Sequence, residues 1–140
     1  MGYAHWVRIH AINRTDANLE IHNARTEWGK FYEDDNKDRE IDAQKLNNMV
    51  IGPKRHGNVS ACGRENAWSG TSGTLDLYIA TDRVCTLYWS CPQIGSNEFY
   101  GSHVNSSRYS VTLGVFSSDG PLGQVDVTVS KVILGSRSPK

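Results

Sequence analysis

Gln124-Val125-Asp126-Val127-Thr128-Val129-Ser130 alternates strictly between polar and apolar side chains. Neighbouring side chains of a β-strand point to opposite faces, so this period of two predicts a strand with a valine face in a core and a polar face in water. Upstream, Tyr109, Val111, Leu113 and Val115 share one parity over residues 108–115, while Arg108, Ser110 and Thr112 take the other. Leu75, Leu77 and Ile79 alternate in the same way with Thr74, Asp76 and Tyr78. Further strands are expected over residues 3–12, 18–25, 58–62 and 83–91, separated by turn signals at Asn13-Arg14-Thr15-Asp16, Gly95-Ser96-Asn97 and Ser118-Asp119-Gly120-Pro121. No long stretch has a helical period, and residues 42–50 predict at most a short helical turn. Seven or more short strands imply an all-β fold, a two-sheet β-sandwich, mainly antiparallel, formed by a single domain over residues 1–140.

The chain has 140 residues, 38% of them hydrophobic and 21% charged, enough for one core without staples. Fifteen basic residues balance fifteen acidic ones. A neutral chain without a basic stripe has little electrostatic reason to seek nucleic acid or to adsorb to anionic lipid by charge alone. No apolar run approaches the roughly 20 residues needed to span a bilayer. The start, Met1-Gly2-Tyr3-Ala4-His5-Trp6-Val7-Arg8, lacks the basic and apolar regions of a signal peptide, so release by lysis or an unconventional route is expected. Cys62, Cys85 and Cys91 cannot all pair within one chain and lack CxxC spacing, which suits buried or free thiols.

Chemistry has few footholds. GxSxG, HExxH, GxGxxG and GxxxxGK[ST] are all absent. Gly70-Thr71-Ser72-Gly73 has the look of a nucleophile turn, but a strand pattern follows it where a helix is needed. His5, His10, His22, His56 and His103 show no metal spacing, although any could approach a carboxylate in space. Residues 33–40 form a mixed-charge island that reads as an exposed loop or edge. Asp34, Asn36 and Asp38 sit at alternate positions as in a calcium loop, yet the turn glycine is missing and Lys45 stands where a bidentate Glu belongs. No catalytic residues, metal or cofactor are expected.

Aromatics are the stronger signal. Four tryptophans and six tyrosines are many for this length, and several fall off the apolar faces. Trp6 shares its parity with Arg8 and His10, Trp28 precedes Gly29-Lys30, and Trp68 lies in the 63–70 loop. Tyr88 alternates away from Cys85, Leu87 and Trp89. Tryptophan at a wet surface marks interfaces, since its body is apolar and its N–H wants a polar partner. The candidate membrane-facing aromatics are therefore Trp6, Trp28, Trp68, Tyr88, Phe99 and Tyr100, with Trp89 assigned to the core. A lectin-like sandwich stacking its tryptophans on sugar rings is the alternative.

Several strings together resemble the aegerolysins: Tyr3-Ala4-His5-Trp6-Val7, Glu27-Trp28-Gly29-Lys30-Phe31-Tyr32, Asp35-Asn36-Lys37-Asp38, Ala61-Cys62-Gly63-Arg64, Gly70-Thr71-Ser72-Gly73-Thr74-Leu75-Asp76-Leu77, Tyr88-Trp89-Ser90-Cys91-Pro92 and Leu122-Gly123-Gln124-Val125-Asp126-Val127. They occur in order across residues 3–129. The resemblance implies a sandwich that recognises membrane lipids, sphingomyelin with cholesterol or ceramide phosphoethanolamine, without a signal peptide. It further implies a larger perforin-like (MACPF) partner that makes the pore, and leaves room for a homo-oligomer on the membrane. Ser90-Cys91-Pro92-Gln93 replaces the Asp-Cys-Pro-Trp usual in fungal members, and Ser69 stands where they carry the acidic residue tied to sphingomyelin–cholesterol recognition, so the resemblance adds Ser69 to the candidate membrane-facing set. The lipid preference implied thus departs from that of the mushroom proteins, toward a bacterial insecticidal type.

Overall fold

A computed structural model of the chain describes residues 2–33 and 35–133. The strands are β1 (Trp6–Asn13), β2 (Leu19–Trp28), β3 (Lys30–Glu33), β4 (Asn36–Ile41), β5 (Val50–Ile51), β6 (His56–Cys62), β7 (Thr71–Ile79), β8 (Asp82–Cys91), β9 (Glu98–Ser102), β10 (Tyr109–Leu113) and β11 (Gly123–Lys131). A single helical turn, α1 (Ala43–Leu46), is capped by Asp42, whose carboxylate accepts from the Gln44 amide. The strands form two sheets, in the order β10-β11-β1-β6-β3-β4 and β5-β2-β7-β8-β9. All pairings are antiparallel except that of β1 with β11.

The alternating segments bury the expected faces. Val125, Val127 and Val129 of β11 meet Val7, Ile9 and Ala11 of β1, and Leu75, Leu77, Leu87 and Trp89 cover them from the second sheet. Trp89 is 0% exposed. Its ring lies edge-on to Phe31 at 5.8 Å between centroids, and its Nε1 donates to Thr71 Oγ1 at 3.2 Å. The ring fits because its partner across β7 is Gly73: a Cβ there would stand 2.5 Å from Trp89 Cζ2. Cys62, Cys85 and Cys91 are buried free thiols, and burial pushes the Cys85 thiol up to about 12.

Several expectations need correction. The strand expected over 3–12 begins only at Trp6, after a 3-10 turn at Gly2–Ala4. That over 18–25 continues to Trp28 through a bulge between His22 and Arg25, where Asn23 takes φ 55°. The strand expected over 108–115 stops at Leu113, because β10 is a sheet edge and its last link is Gly114 N–H to Asp126 O. Val115 is therefore exposed rather than buried. The mixed-charge island, by contrast, is the expected exposed edge: much of it is β4, an edge strand whose charged side chains discourage pairing with another chain. Asp34 lies outside the described residues.

Candidate functional site

The chain turns of one end of the sandwich carry the exposed indoles. β2 ends at Trp28 and β3 starts at Lys30, so Gly29 alone makes the change of sheet, at φ 88°. A Cβ on Gly29 would lie 2.3 Å from the Cys62 carbonyl oxygen, so the turn needs glycine. Trp28, in register with Ser72 of β7, is left 59% exposed.

The 63–70 loop is tied down at both ends and in the middle. Gly63 N–H donates to His5 O at 3.0 Å, and Gly70 approaches the Cys91 carbonyl too closely for any side chain. Arg64 holds Glu40 through two bonds of 2.9 and 3.0 Å, and its guanidinium keeps the Glu40 carboxyl below the usual range. Gln93 Nε2 donates to Ala67 O at 3.2 Å. Trp68, next to this anchor, is 79% exposed. An anchored loop presents its indole without a large ordering cost on binding.

Trp28 and Trp68 line one open cleft of about 400 Å³, together with Glu27, Ser69, Ser72, Tyr88, Ser90, Gln93 and Ile94. Its mouth is apolar and its wall is hydroxylic. Ser72 Oγ is buried and has no hydrogen-bond partner among the described residues. A buried hydroxyl left without a protein partner is unusual in a native protein and is completed by water or by another polar group. Beside the cleft, Tyr88 packs against Tyr100 at 4.9 Å between centroids, and Tyr100 is exposed.

Four members of the expected set thus share a site: Trp28, Trp68, Ser69 and Tyr88. Tyr100 adjoins it. Phe99 does not belong, because it pairs with Trp89 on the inner face of β9, is 5% exposed and contacts Phe116. Trp6 is partly buried on the outer face of the six-stranded sheet, with Lys37 Nζ 5.4 Å from its ring centroid, and does not line the cleft. Ile94 is the residue that sequence reading missed: it is 92% exposed at the cleft edge. A lone apolar residue beside the Gly95-Ser96-Asn97 turn was the available signal. That turn is fixed by Asn97, whose Nδ2 donates to Ser117 O and Gly120 O at 2.8 and 3.0 Å.

The histidines offer one chain of polar contacts. Asp126 Oδ1 meets His10 Nδ1 at 2.9 Å, and His10 Nε2 meets His56 Nδ1 at 3.0 Å. The hydrogen bond from His10 holds the Asp126 carboxyl below its usual range. In a triad the far nitrogen addresses a nucleophile; here His56 occupies it, on an open strand face. Among the described residues no set of three His, Cys, Asp or Glu gathers for a metal, and no helix is long and apolar enough to cross a membrane.

Comparison with known proteins agrees with this architecture. Asp-hemolysin of Aspergillus fumigatus is 35% identical over 131 residues, covering 92% of this chain and 94% of that protein. The crystal structure of IP-1A from Alcaligenes faecalis superposes with a TM-score of 0.87 at 34% identity, over 95% of each chain. That of RahU gives 0.88 at 29% identity, over 94% of this chain and 98% of that one. The family model for aegerolysin matches residues 4–132. The chain belongs to the aegerolysin family.

Proposed function

We propose that this protein binds a membrane lipid from the aqueous side through the cleft between Trp28 and Trp68. The two indoles, with Ile94, enter the interfacial region, and the lipid head group meets the hydroxyls of Ser69, Ser72 and Ser90. The observation that carries this reading is the pair of exposed indoles on a fixed rim around a buried, unsatisfied hydroxyl. Indoles favour the membrane–water boundary, where the ring leaves water and the N–H keeps a partner. Kinship with a protein named a hemolysin supports a membrane target.

The lipid class we assign is a sphingolipid, with or without sterol, ceramide phosphoethanolamine included. Among the described residues Glu27 is the one carboxylate in the cleft wall, and Ser69 supplies a hydroxyl rather than a charge. Half-covering an exposed indole removes about 100 Å² from water and contributes roughly 2–3 kcal/mol before ordering costs. Two such contacts give reversible attachment of the strength of a single acyl anchor. A head-group contact, or several copies on one membrane, supplies the remainder. The alternating strands are all committed to the core, so this chain recognises the membrane and a larger perforin-like partner perforates it. Action at a target-cell surface and self-association there complete the proposal.

Co-sedimentation with liposomes of defined composition tests it. Binding is expected to depend on head group or sterol and to change little between low and high salt, because the chain carries no net charge. Equal binding to every composition, or binding abolished by salt, overturns it. Soluble glycan that competes for the tryptophan cleft, with no binding to protein-free liposomes, favours the lectin-like alternative.

A further inference from the structure

The outer face of the five-stranded sheet holds a second concavity, of about 480 Å³, which adjoins the tryptophan cleft where Thr74 of its floor lies opposite Tyr88. Its floor comes from register: Asp76 of β7 lies opposite Thr86 of β8, which lies opposite Ser102 of β9, with Thr74 one row along. All four are polar and point outward by the alternation that buries Leu75, Leu77 and Leu87. Asp76 is only 8% exposed although it is on the wet face, because the β2 bulge folds Asn23 over it. Its oxygens accept from Asn23 Nδ2 at 2.9 Å and Thr86 Oγ1 at 2.5 Å, which leaves a lone pair on each. Arg25 and Arg83 rim the groove, and neither guanidinium is paired with a carboxylate among the described residues. Arg25 reaches only Thr74 Oγ1, at 3.4 Å.

These groups set two demands on a ligand. A pair of free guanidiniums asks for an anion. A carboxylate that can only accept asks for O–H or N–H donors, which an inorganic anion such as sulfate does not offer. Height separates the remaining candidates. Ser72, level with Trp28, is two residues from Thr74 and four from Asp76 along β7, or about 7 and 14 Å at roughly 3.4 Å per residue. With the indoles at the membrane boundary, the groove rises from just above a phospholipid head group at Thr74 to the level of the sugars of a glycolipid at Asp76. We propose that this groove binds an acidic saccharide, its anionic group taken by Arg25 and Arg83 and its hydroxyls by Asp76, Thr74, Thr86 and Ser102. The choice of a sugar over a phospholipid head group, and the glycolipid source, rest on the lipid reading, whereas binding of the soluble sugar is measured without any membrane.

Amide shifts in solution test the site, with N-acetylneuraminic acid as probe and glucose, sulfate and phosphoethanolamine as controls. Saturable shifts at Ser102 and Thr86 are expected for the acidic sugar alone, with Kd of about a millimolar. Arg25→Ala and Arg83→Ala, both at exposed positions, should each weaken it about tenfold, and Trp68→Ala should leave it unchanged. No saturation by about 10 mM, equal binding of sulfate or phosphoethanolamine, or arginine variants that bind as well as the parent would each overturn the proposal. Vesicles carrying an acidic glycosphingolipid then identify the source. Retention that falls with Arg83→Ala and with soluble sugar assigns a glycolipid; retention indifferent to both, with sugar still bound in solution, assigns a soluble or protein-linked glycan. Vesicles free of sugar lipids report separately on the tryptophan cleft.

Discussion

Trp68 and Trp89 carry the same indole to opposite ends of the accessibility scale, 79% against 0%. The difference lies in their surroundings: Trp89 alternates inward on β8 and finds Thr71 Oγ1 for its N–H, while Trp68 sits on an anchored loop with its ring in water. Substitution should separate them. Trp28→Ala or Trp68→Ala should lower membrane affinity by about tenfold each, or about 1.4 kcal/mol, with an unchanged urea midpoint. Phe99→Ala should instead cost about 3–5 kcal/mol of stability, since the ring is core; an unchanged midpoint would place it outside. The thiols give a residue-scale check on burial. Because Cys85 is raised to about 12, it stays protonated at neutral pH, and a thiolate-selective alkylating reagent should label it only in denaturant. Which aromatics face water was only partly legible. Tyr88 was, because the 83–91 run is long enough to fix parity. Phe99 was not, because Glu98-Phe99-Tyr100-Gly101-Ser102 is short and either parity presents a ring.

At the scale of elements, a close constraint lies in the pairing of β7 with β8. Gly73→Ala would drive a methyl into Trp89 and toward the Arg25 carbonyl oxygen, 2.3 Å from the added Cβ. An overpacked core loses about 1–3 kcal/mol, and the shift should show as a lower thermal midpoint and an altered near-ultraviolet tryptophan signal. Retention of both would mean that the ring does not fill the space above Gly73. Alternation made β1, β7, β8 and β11 readable, since long strands with one wet face must show a period of two. β3, β4, β5 and β9 were not readable from pattern. β5 has two residues, β4 is charged on both faces at an edge, and β3 is buried at Lys30, Phe31 and Tyr32 in succession. Such segments are strands by tertiary pairing rather than by their own composition.

The whole molecule has its polarity along the strands. One end gathers Trp28, Trp68 and Ile94 around the cleft, and the sheets behind them act as a rigid handle. Ile94 shows what the sequence could not display: a lone apolar residue in a turn becomes part of a site only once the 63–70 and 92–97 loops meet. The central claim is that these indoles enter a bilayer while Trp89 does not. Variants retaining a single exposed tryptophan, mixed with liposomes bearing brominated acyl chains, measure this through fluorescence quenching. Emission from Trp28 and from Trp68 should shift to shorter wavelength and be quenched on binding, while emission from Trp89 stays unchanged. Bound protein in which neither Trp28 nor Trp68 is quenched would contradict the account.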